Sequence, residues 1–383
     1  MSGSIIRRGK QSWRCKFDIG RGPDGKRQTR YLTVRGTKKD AQGALITALA
    51  AVNEGTHVDP SKLSIGEFLE RWLTDYAASA VSGKTLERYR EHVDKHLVPG
   101  LGTISLKDLK PLDIQGYYAR ALASGRLKGE CGLSPRTVHH HHVILSQALG
   151  RAVKWRLLAI NPVEAVDPPK VHQQEIEVLD DDDLVKLLRT VQSTRSYPAI
   201  LLAATTGMRR GEILGLRWRD LNLDSAKLSV AVTLEETRSG LKLKAPKTRN
   251  SRRTITLPAL TVETLRRHRA QVLRERLALG FGRDDDGPVF ANLEGGHIRP
   301  RNFTKEFTRL VKKAGVRRIT LHGLRHSHIT SLLRAGVNAK VVSERAGHAS
   351  VAITLGLYAH ALPDMQAEAA AKVDAALRGA LDE

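Results

Sequence analysis

Two cysteines, Cys15 and Cys131, are all that 383 residues hold, too few for a disulfide framework or a thiolate metal cluster, and they suit a reducing compartment. Nowhere is there an uncharged apolar run of about 18 residues, the length a membrane-spanning helix needs. The opening MSGSIIRRGK carries charge but no apolar stretch of the secretory kind, so a cytoplasmic chain with no membrane partner is expected. Internal repeats and extended low-complexity segments are also missing. Positive charge is plentiful instead. Lys and Arg number 63 against 40 Asp and Glu, a formal +23 with a pI near 10.3. Solubility needs far less, so the surplus points to a polyanion, nucleic acid ahead of anionic lipid. The length suits two or three domains of about 100 to 200 residues each.

In QSWRCKFDIG, Trp13, Cys15, Phe17 and Ile19 alternate with Arg14, Lys16 and Asp18, the period of a half-buried strand. Pro23, Asp24 and Gly25 supply a turn, RQTRYLTVRG returns as a second strand, and TKKDAQGALITALAAV follows as a helix. Residues 1 to 60 carry 12 Lys and Arg against 5 Asp and Glu. A two-stranded ribbon fits the DNA major groove, which makes Arg14, Lys16, Arg27 and Arg30 candidate contacts to bases or phosphates. The alternative is a solvated basic face with no partner.

After the short linker VDPSK, Ser64 and Glu67 form a capping box ahead of FLERWLTDYAASAV, and helical periodicity dominates. SPRTVHHHHVILSQALGRAVKW opens with Ser134 as N-cap and Pro135 at the first helical position. His139 to His142 invite a metal reading, but adjacent helical positions point about 100° apart and do not converge on one ion. A basic DNA-facing surface is preferred, with Lys84, Arg88, Arg90, Arg136 and Lys154 as candidate phosphate contacts. The proline-rich NPVEAVDPPKVHQQEI marks a boundary near 161 to 176. In LDDDDLVKLL, Asp180 suits an N-cap and its neighbours the first turn, in preference to a metal site. YPAILLAATTGMRRGEILGLRW is strongly helical, and KLSVAVTLE, LKLKA and RRTITL read as three strands.

The segment LHGLRHSHIT poses a chemical choice. His322 and His326 have zinc-helix spacing, yet the position after His322 is Gly323, where a zinc protease needs its glutamate, and Arg325 shares the face of His322. An anion suits that face better than a cation. In TGMRRGEILGLRW, Gly207 can end one helix so that Arg209 opens the next, with Glu212 one turn on. Two guanidiniums on one phosphate would neutralise the charge that builds in phosphoryl transfer. Lys247 is placed at the tip of a hairpin, Gly347 ends a helix directly before His348, and Tyr358 follows in a short, mostly apolar helix.

Taken in order, TGxRxxE, a hairpin lysine, HxxRH, GH and a tyrosine ten residues on, the pattern over residues 180 to 365 resembles the tyrosine recombinase family, in its phage integrase subgroup. The resemblance implies Arg209, Lys247, His322, Arg325, His348 and the nucleophile Tyr358 as catalytic residues with Glu212 in support, no cofactor and no metal. Lys242 and Lys244 stand as alternatives to Lys247. It implies a multidomain α+β chain: a small basic β-sheet plus helix that binds arm-type sites (1–58), an all-helical core-binding domain (63–165), and a mainly helical catalytic domain with a small antiparallel three-stranded sheet and a C-terminal helix (175–383). The implied partners are double-stranded DNA attachment sites, a homotetramer on two duplexes, and as further candidates a host DNA-bending protein and a directionality factor; the setting would be the nucleoid of a bacterial host. The implied work is integration and excision of a mobile element such as a prophage. A type IB topoisomerase and a noncatalytic regulator of the same fold are the competing readings. The tail PDMQAEAAAKVDAALRGALDE reads as a helix with Ala369, Val373, Ala376 and Leu377 as its apolar stripe, docking either on its own chain or on a neighbour.

Overall fold

The computed structural model describes residues 3–21, 27–53, 63–126, 131–171, 177–246 and 251–358, with 370–371, 373–375 and 377–378 near the C-terminus. The chain divides into two compact units, Met1–His172 and Gln173–Glu383.

The first unit opens with strands β1 (Gly3–Gly9), β2 (Ser12–Arg21) and β3 (Arg27–Arg35), an antiparallel meander in that order, followed by helix α1 (Lys38–Asn53). The alternation in β2 sets the two faces of this sheet: Cys15 and Phe17 are buried with Ala41 and Leu45 of α1, so Arg14 and Lys16 occupy the opposite face. Strand β1 adds to the two strands expected. Its Ile-Ile-Arg-Arg run breaks the alternation that marks a half-buried strand, and it is held by pairing Ile5 with Cys15 and Ile6 with Arg14. A two-stranded ribbon is marginal in water, whereas three strands packed on a helix are stable. The register corrects one expectation: Arg30 lies opposite Phe17, on the face that α1 covers, and does not join Arg14 and Lys16.

The helices that follow have their own core, with Ile65, Phe68, Trp72, Leu97, Leu145 and Leu149 buried in it. Helix α2 (Ile65–Trp72) begins at the expected capping box, where the Glu67 amide donates to Ser64 Oγ at 3.2 Å and the Ser64 amide donates to Glu67 Oε2 at 2.8 Å. It runs through a π-helical turn, Leu73–Ala77, into α3 (Ala78–Ala80). Helix α4 (Gly83–His92) passes likewise through Val93–Leu97 into α5 (Val98–Leu101), and α6 (Pro111–Ser124) and α7 (Pro135–Lys154) complete the set, α7 with Ser134 as its N-cap.

The four-histidine run on α7 divides as helical geometry requires. His141 enters the core, with Nδ1 2.9 Å from the Tyr117 hydroxyl and Nε2 3.1 Å from His92 Nδ1, while His142 Nδ1 lies 3.1 Å from the Tyr118 hydroxyl. Burial, then the like charge of His92, His96 and His140, pushes His141 down to about 3. Burial, then Arg88, pushes His92 down to about 4. At neutral pH these rings are uncharged hydrogen-bonding members of a core.

In the second unit, α8 (Asp181–Val191) starts where Asp180 accepts the Asp183 amide at 2.8 Å, the cap role expected of the aspartate run. Then come α9 (Tyr197–Thr206), α10 (Arg210–Gly215), strands β4 (Leu221–Asn222), β5 (Lys227–Val230), β6 (Thr233–Thr237), β7 (Gly240–Lys244) and β8 (Arg253–Thr256), and helices α11 (Ala259–Ala278), α12 (Pro300–Ala314), α13 (Leu321–Arg334), α14 (Ala339–Ala346) and α15 (Val351–Tyr358). A three-stranded antiparallel sheet is present in the order β4-β5-β8, but its membership differs from expectation. KLSVAVTLE parts at Ala231 and Val232, giving β5 to that sheet and β6 to a separate hairpin with β7. The turn of that hairpin falls between Thr237 and Gly240. LKLKA and RRTITL therefore pair with other strands and not with each other; Lys247, expected at the tip of a hairpin there, lies outside the described residues.

No helix among the described residues is long and apolar enough to cross a membrane. In the tail, Val373 and Leu377 are 59% and 57% exposed; Ala369 and Ala376 lie outside the described residues.

Candidate active site

Three backbone corners bring the site together. Helix α9 ends at Gly207 in the left-handed region, φ 64°, where a Cβ would approach His328 to 2.8 Å, so glycine is required on two counts. The chain turns at once and Arg209 becomes the N-cap residue of α10. Its amide donates to Glu212 Oε2 and its Nη1 to Glu212 Oε1, both at 2.9 Å. Helix α13 is capped by Thr320, which accepts the Gly323 amide at 3.0 Å, and this places His322 and Arg325 in its first turns. Arg325 is 2% exposed and donates from Nη1 to the Gly207 carbonyl at 2.6 Å. Helix α14 ends at Gly347, φ 69°, and the Gly347 carbonyl accepts Arg209 Nη2 at 2.9 Å.

His348 follows, with Nδ1 2.8 Å from the hydroxyl of Thr354. Thr354 is fully buried in α15, and Tyr358, which ends α15, is one helical turn later in the chain.

The electrostatics report the same proximity. His348 is pushed down to about 4 by burial, then by Arg325 and Arg209 and more weakly by His326 and Arg253. His322 keeps part of its surface in water, yet partial burial and then Arg325 and Arg209 lower its pKa. Two imidazoles that both feel the same two guanidiniums share a neighbourhood with them. The His322 and His326 rings meet edge to face at 4.5 Å, and His326 is down at about 4, first through burial. Burial alone would raise the Glu212 pKa, but hydrogen bonds from Arg253 and Arg209 outweigh it and hold the carboxylate below its ordinary range. The result is a cationic patch beside neutral imidazoles, able to hold a phosphate and to accept or donate a proton next to it.

Of the residues expected here, Arg209, Glu212, His322, Arg325 and His348 come together, and the helix bearing Tyr358 packs on α14. Of the alternatives to Lys247, Lys244 is ion-paired with Glu235 and Lys242 is exposed on β7. Sequence reasoning missed Arg253, Arg345 and Thr354. Arg253 had a usable signal, because it shares the strand parity of buried Ile255, whereas Arg252 is exposed. Among the described residues no group of three or more His, Cys, Asp or Glu is arranged to hold a metal ion.

The outlying DNA-contact candidates separate. Arg14 and Lys16 lie on the outer sheet face, Arg14 stacked 4.4 Å over the ring of exposed Tyr31, and Arg27 opens β3. Arg88 and Arg136 are exposed and both act on His140, so they converge across α4 and α7. Lys84 pairs with Glu87 at 3.3 Å. Arg90 is taken by Glu70 at 2.9 Å, and Lys154 is exposed at the far end of α7 from Arg136, about 27 Å away along the helix.

The chain has relatives among known proteins. Residues 177–365 match the model of the phage integrase family, and residues 64–122 match that of its N-terminal SAM-like domain. A tyrosine recombinase XerC-like protein of Caldanaerobacter subterraneus subsp. tengcongensis is 28% identical over 385 residues, 96% of each chain. An integrase of Streptomyces ambofaciens is 28% identical over 91% of this chain and 89% of its own. Among solved structures, the Tn1549 transposon integrase in complex with transposon right end DNA superposes with a TM-score of 0.67 at 22% identity, over 82% of this chain and 100% of that one. A lambda integrase tetramer bound to a Holliday junction gives 0.56 at 18% identity, over 92% and 94%. Family models, full-length relatives and fold point one way: the chain belongs to the phage integrase family of tyrosine recombinases, which cut and rejoin DNA at specific sites.

Proposed function

We propose that Tyr358 is the nucleophile and that the scissile phosphate sits between Arg209 and Arg325. Its phenolic oxygen forms a bond to phosphorus as the bond to the 5′ oxygen breaks, giving a 3′-phosphotyrosine and a free 5′-hydroxyl. Attack by the 5′-hydroxyl of another strand reverses the step. One ester replaces another, so no nucleotide is consumed. A phenol with a pKa near 10 needs a base or a positive field; His322, neutral at pH 7, is the candidate base. Lys247 protonates the departing 5′ oxygen, His348 donates a hydrogen bond to the phosphate, and Glu212 orients Arg209. The convergence of two guanidiniums and two neutral imidazoles carries this reading.

The same reading gives residues 1–58 to arm-type sites, 63–165 to the core-type site and 175–383 to catalysis, on four protomers spanning two duplexes. A host bending protein and a directionality factor would act on that assembly during integration and excision of a mobile element such as a prophage. The test is a denaturing gel after reaction with nicked suicide substrates that cover candidate junctions. Wild type should leave a covalent protein–DNA band and Tyr358→Phe none; a band that survives in Tyr358→Phe removes the assignment.

A further inference from the structure

We infer that Arg253 is a positioning residue for strand cleavage, holding Arg209 and His348 to one phosphate through two separate grips. The inference rests on the roles given above to those two residues. Arg253 begins β8 and its side chain is 7% exposed. Its Nη2 donates to Glu212 Oε2 at 3.0 Å and its Nη1 to Glu212 Oε1 at 3.2 Å, a two-pronged grip on the carboxylate that also holds Arg209. Its Nε donates to the Arg345 carbonyl at 2.7 Å. That carbonyl belongs to the last turn of α14, whose end residue Gly347 gives its own carbonyl to Arg209.

A helix terminus leaves carbonyls without intrahelical partners. Here Arg253 and Arg209 each take one, and Glu212 ties the two guanidiniums together. His348 comes directly after this clamp. A Cβ on Gly347 would lie 2.9 Å from Arg253 Nη1, so the clamp and the corner fit closely. Arg345 continues the brace with its own side chain, donating to the Thr256 carbonyl at 3.0 Å and the Thr205 carbonyl at 2.9 Å. Nothing in this arrangement requires Arg253 to touch DNA. Its work is to fix the angle between two groups that do.

The experiment uses full-length Arg253→Gln, Arg253→Lys, Glu212→Gln and the double variant Glu212→Gln/Arg253→Gln. Single-turnover cleavage of a nicked substrate at saturating DNA is followed, with DNA half-saturation and thermal melting alongside. Misplacing reacting groups by about 1 Å costs about 100-fold, so Arg253→Gln should slow cleavage by about that factor while DNA half-saturation stays nearly unchanged. Arg253→Lys keeps the charge but cannot span both carboxylate oxygens and the carbonyl, and should fall in between. Residues acting as one unit are not additive, so the double variant should be no slower than the slower single. Multiplying losses, or wild-type cleavage in Arg253→Gln, overturns the inference. If Arg253→Gln does not fold, Arg253→Lys decides: wild-type cleavage overturns the inference, and slow cleavage with unchanged melting supports it. Tyr358→Phe separates the two levels, because an adduct persisting there defeats the reading of the site itself, whereas an adduct that needs Tyr358 but ignores Arg253 defeats only this proposal.

Discussion

His92 and His96 are four residues apart in α4 and the π turn that continues it, and His322 and His326 are four apart in α13. Both pairs face a further histidine, and all four rings have lowered pKa values with burial as the first cause. Their company differs. The first pair meets His141, which meets the Tyr117 hydroxyl, and the cluster closes on itself as a hydrogen-bonded core. The second pair lies beside Arg325, and His322 beside Arg209 as well, in a patch where the single carboxylate of Glu212 is shared by Arg209 and Arg253. Histidine density, a depressed pKa and a nearby arginine are common to both regions, since Arg88 acts on His92, so none of them identifies a site. The guanidiniums of Arg209 and Arg253 fixed on the buried Glu212 carboxylate, with the buried Arg325 close by, belong to the second region alone.

Substitutions can break or sharpen that contrast. The largest effect should come from Arg209→Ala: losing one charged donor to the transition state costs about 3 to 4 kcal/mol, read as a matching drop in cleavage rate with DNA affinity largely kept. Affinity falling as far as the rate would remove Arg209 from the chemistry. His141→Ala should do the reverse, lowering stability by about 2 to 3 kcal/mol through a cavity and a stranded Tyr117 hydroxyl, with the cleavage rate per folded molecule retained. Melting curves paired with cleavage assays separate the two.

Acidity gives a smaller test of the first region. The unfolded histidine titrates near 6.5, while folded His141 titrates near 3. Below the unfolded value the denatured chain binds more protons, so stability is lost as pH falls from about 6.5 toward 3. For His141 alone the loss is about 0.7 kcal/mol between about pH 7 and about pH 6. The melting temperature should drop over that window, less steeply in His141→Ala; identical slopes would contradict the buried neutral ring. Smallest of all is Lys84→Ala, which breaks an exposed pair and should change stability by less than about 0.5 kcal/mol. If Lys84 meets a phosphate, the salt dependence of DNA binding should lose a slope of about one.

Local signals in the sequence reached far where the structure is itself local. Ser64, Ser134 and Asp180 cap the helices that their spacing promised, Gly207 and Gly347 turn the chain where helices stop, and Cys15 and Phe17 face inward. Ambiguity began where pairing is decided at a distance. Alternation runs unbroken through KLSVAV, and only the competition between β8 and β7 for a partner splits it. Arg90 reads as a free cation until Glu70, twenty positions earlier, takes it. Arg252 and Arg253 are identical as letters, and strand parity together with a buried carboxylate tells them apart. The residues proposed as catalytic could be named because their order along the chain is a family pattern, whereas DNA contacts depend on which surface groups are already engaged by neighbours.

The division between hairpin and sheet has a mechanical corollary. Strand β6 hydrogen-bonds to β7 and not to the β4-β5-β8 ladder, while its side leans on α10, the short helix that Arg209 opens. Peeling the hairpin away therefore breaks no rung of the other ladder, and its amides should exchange with deuterium as their own cooperative group. Whatever pulls on that hairpin, a DNA strand or a second protomer, would be felt first by the guanidinium at the head of α10.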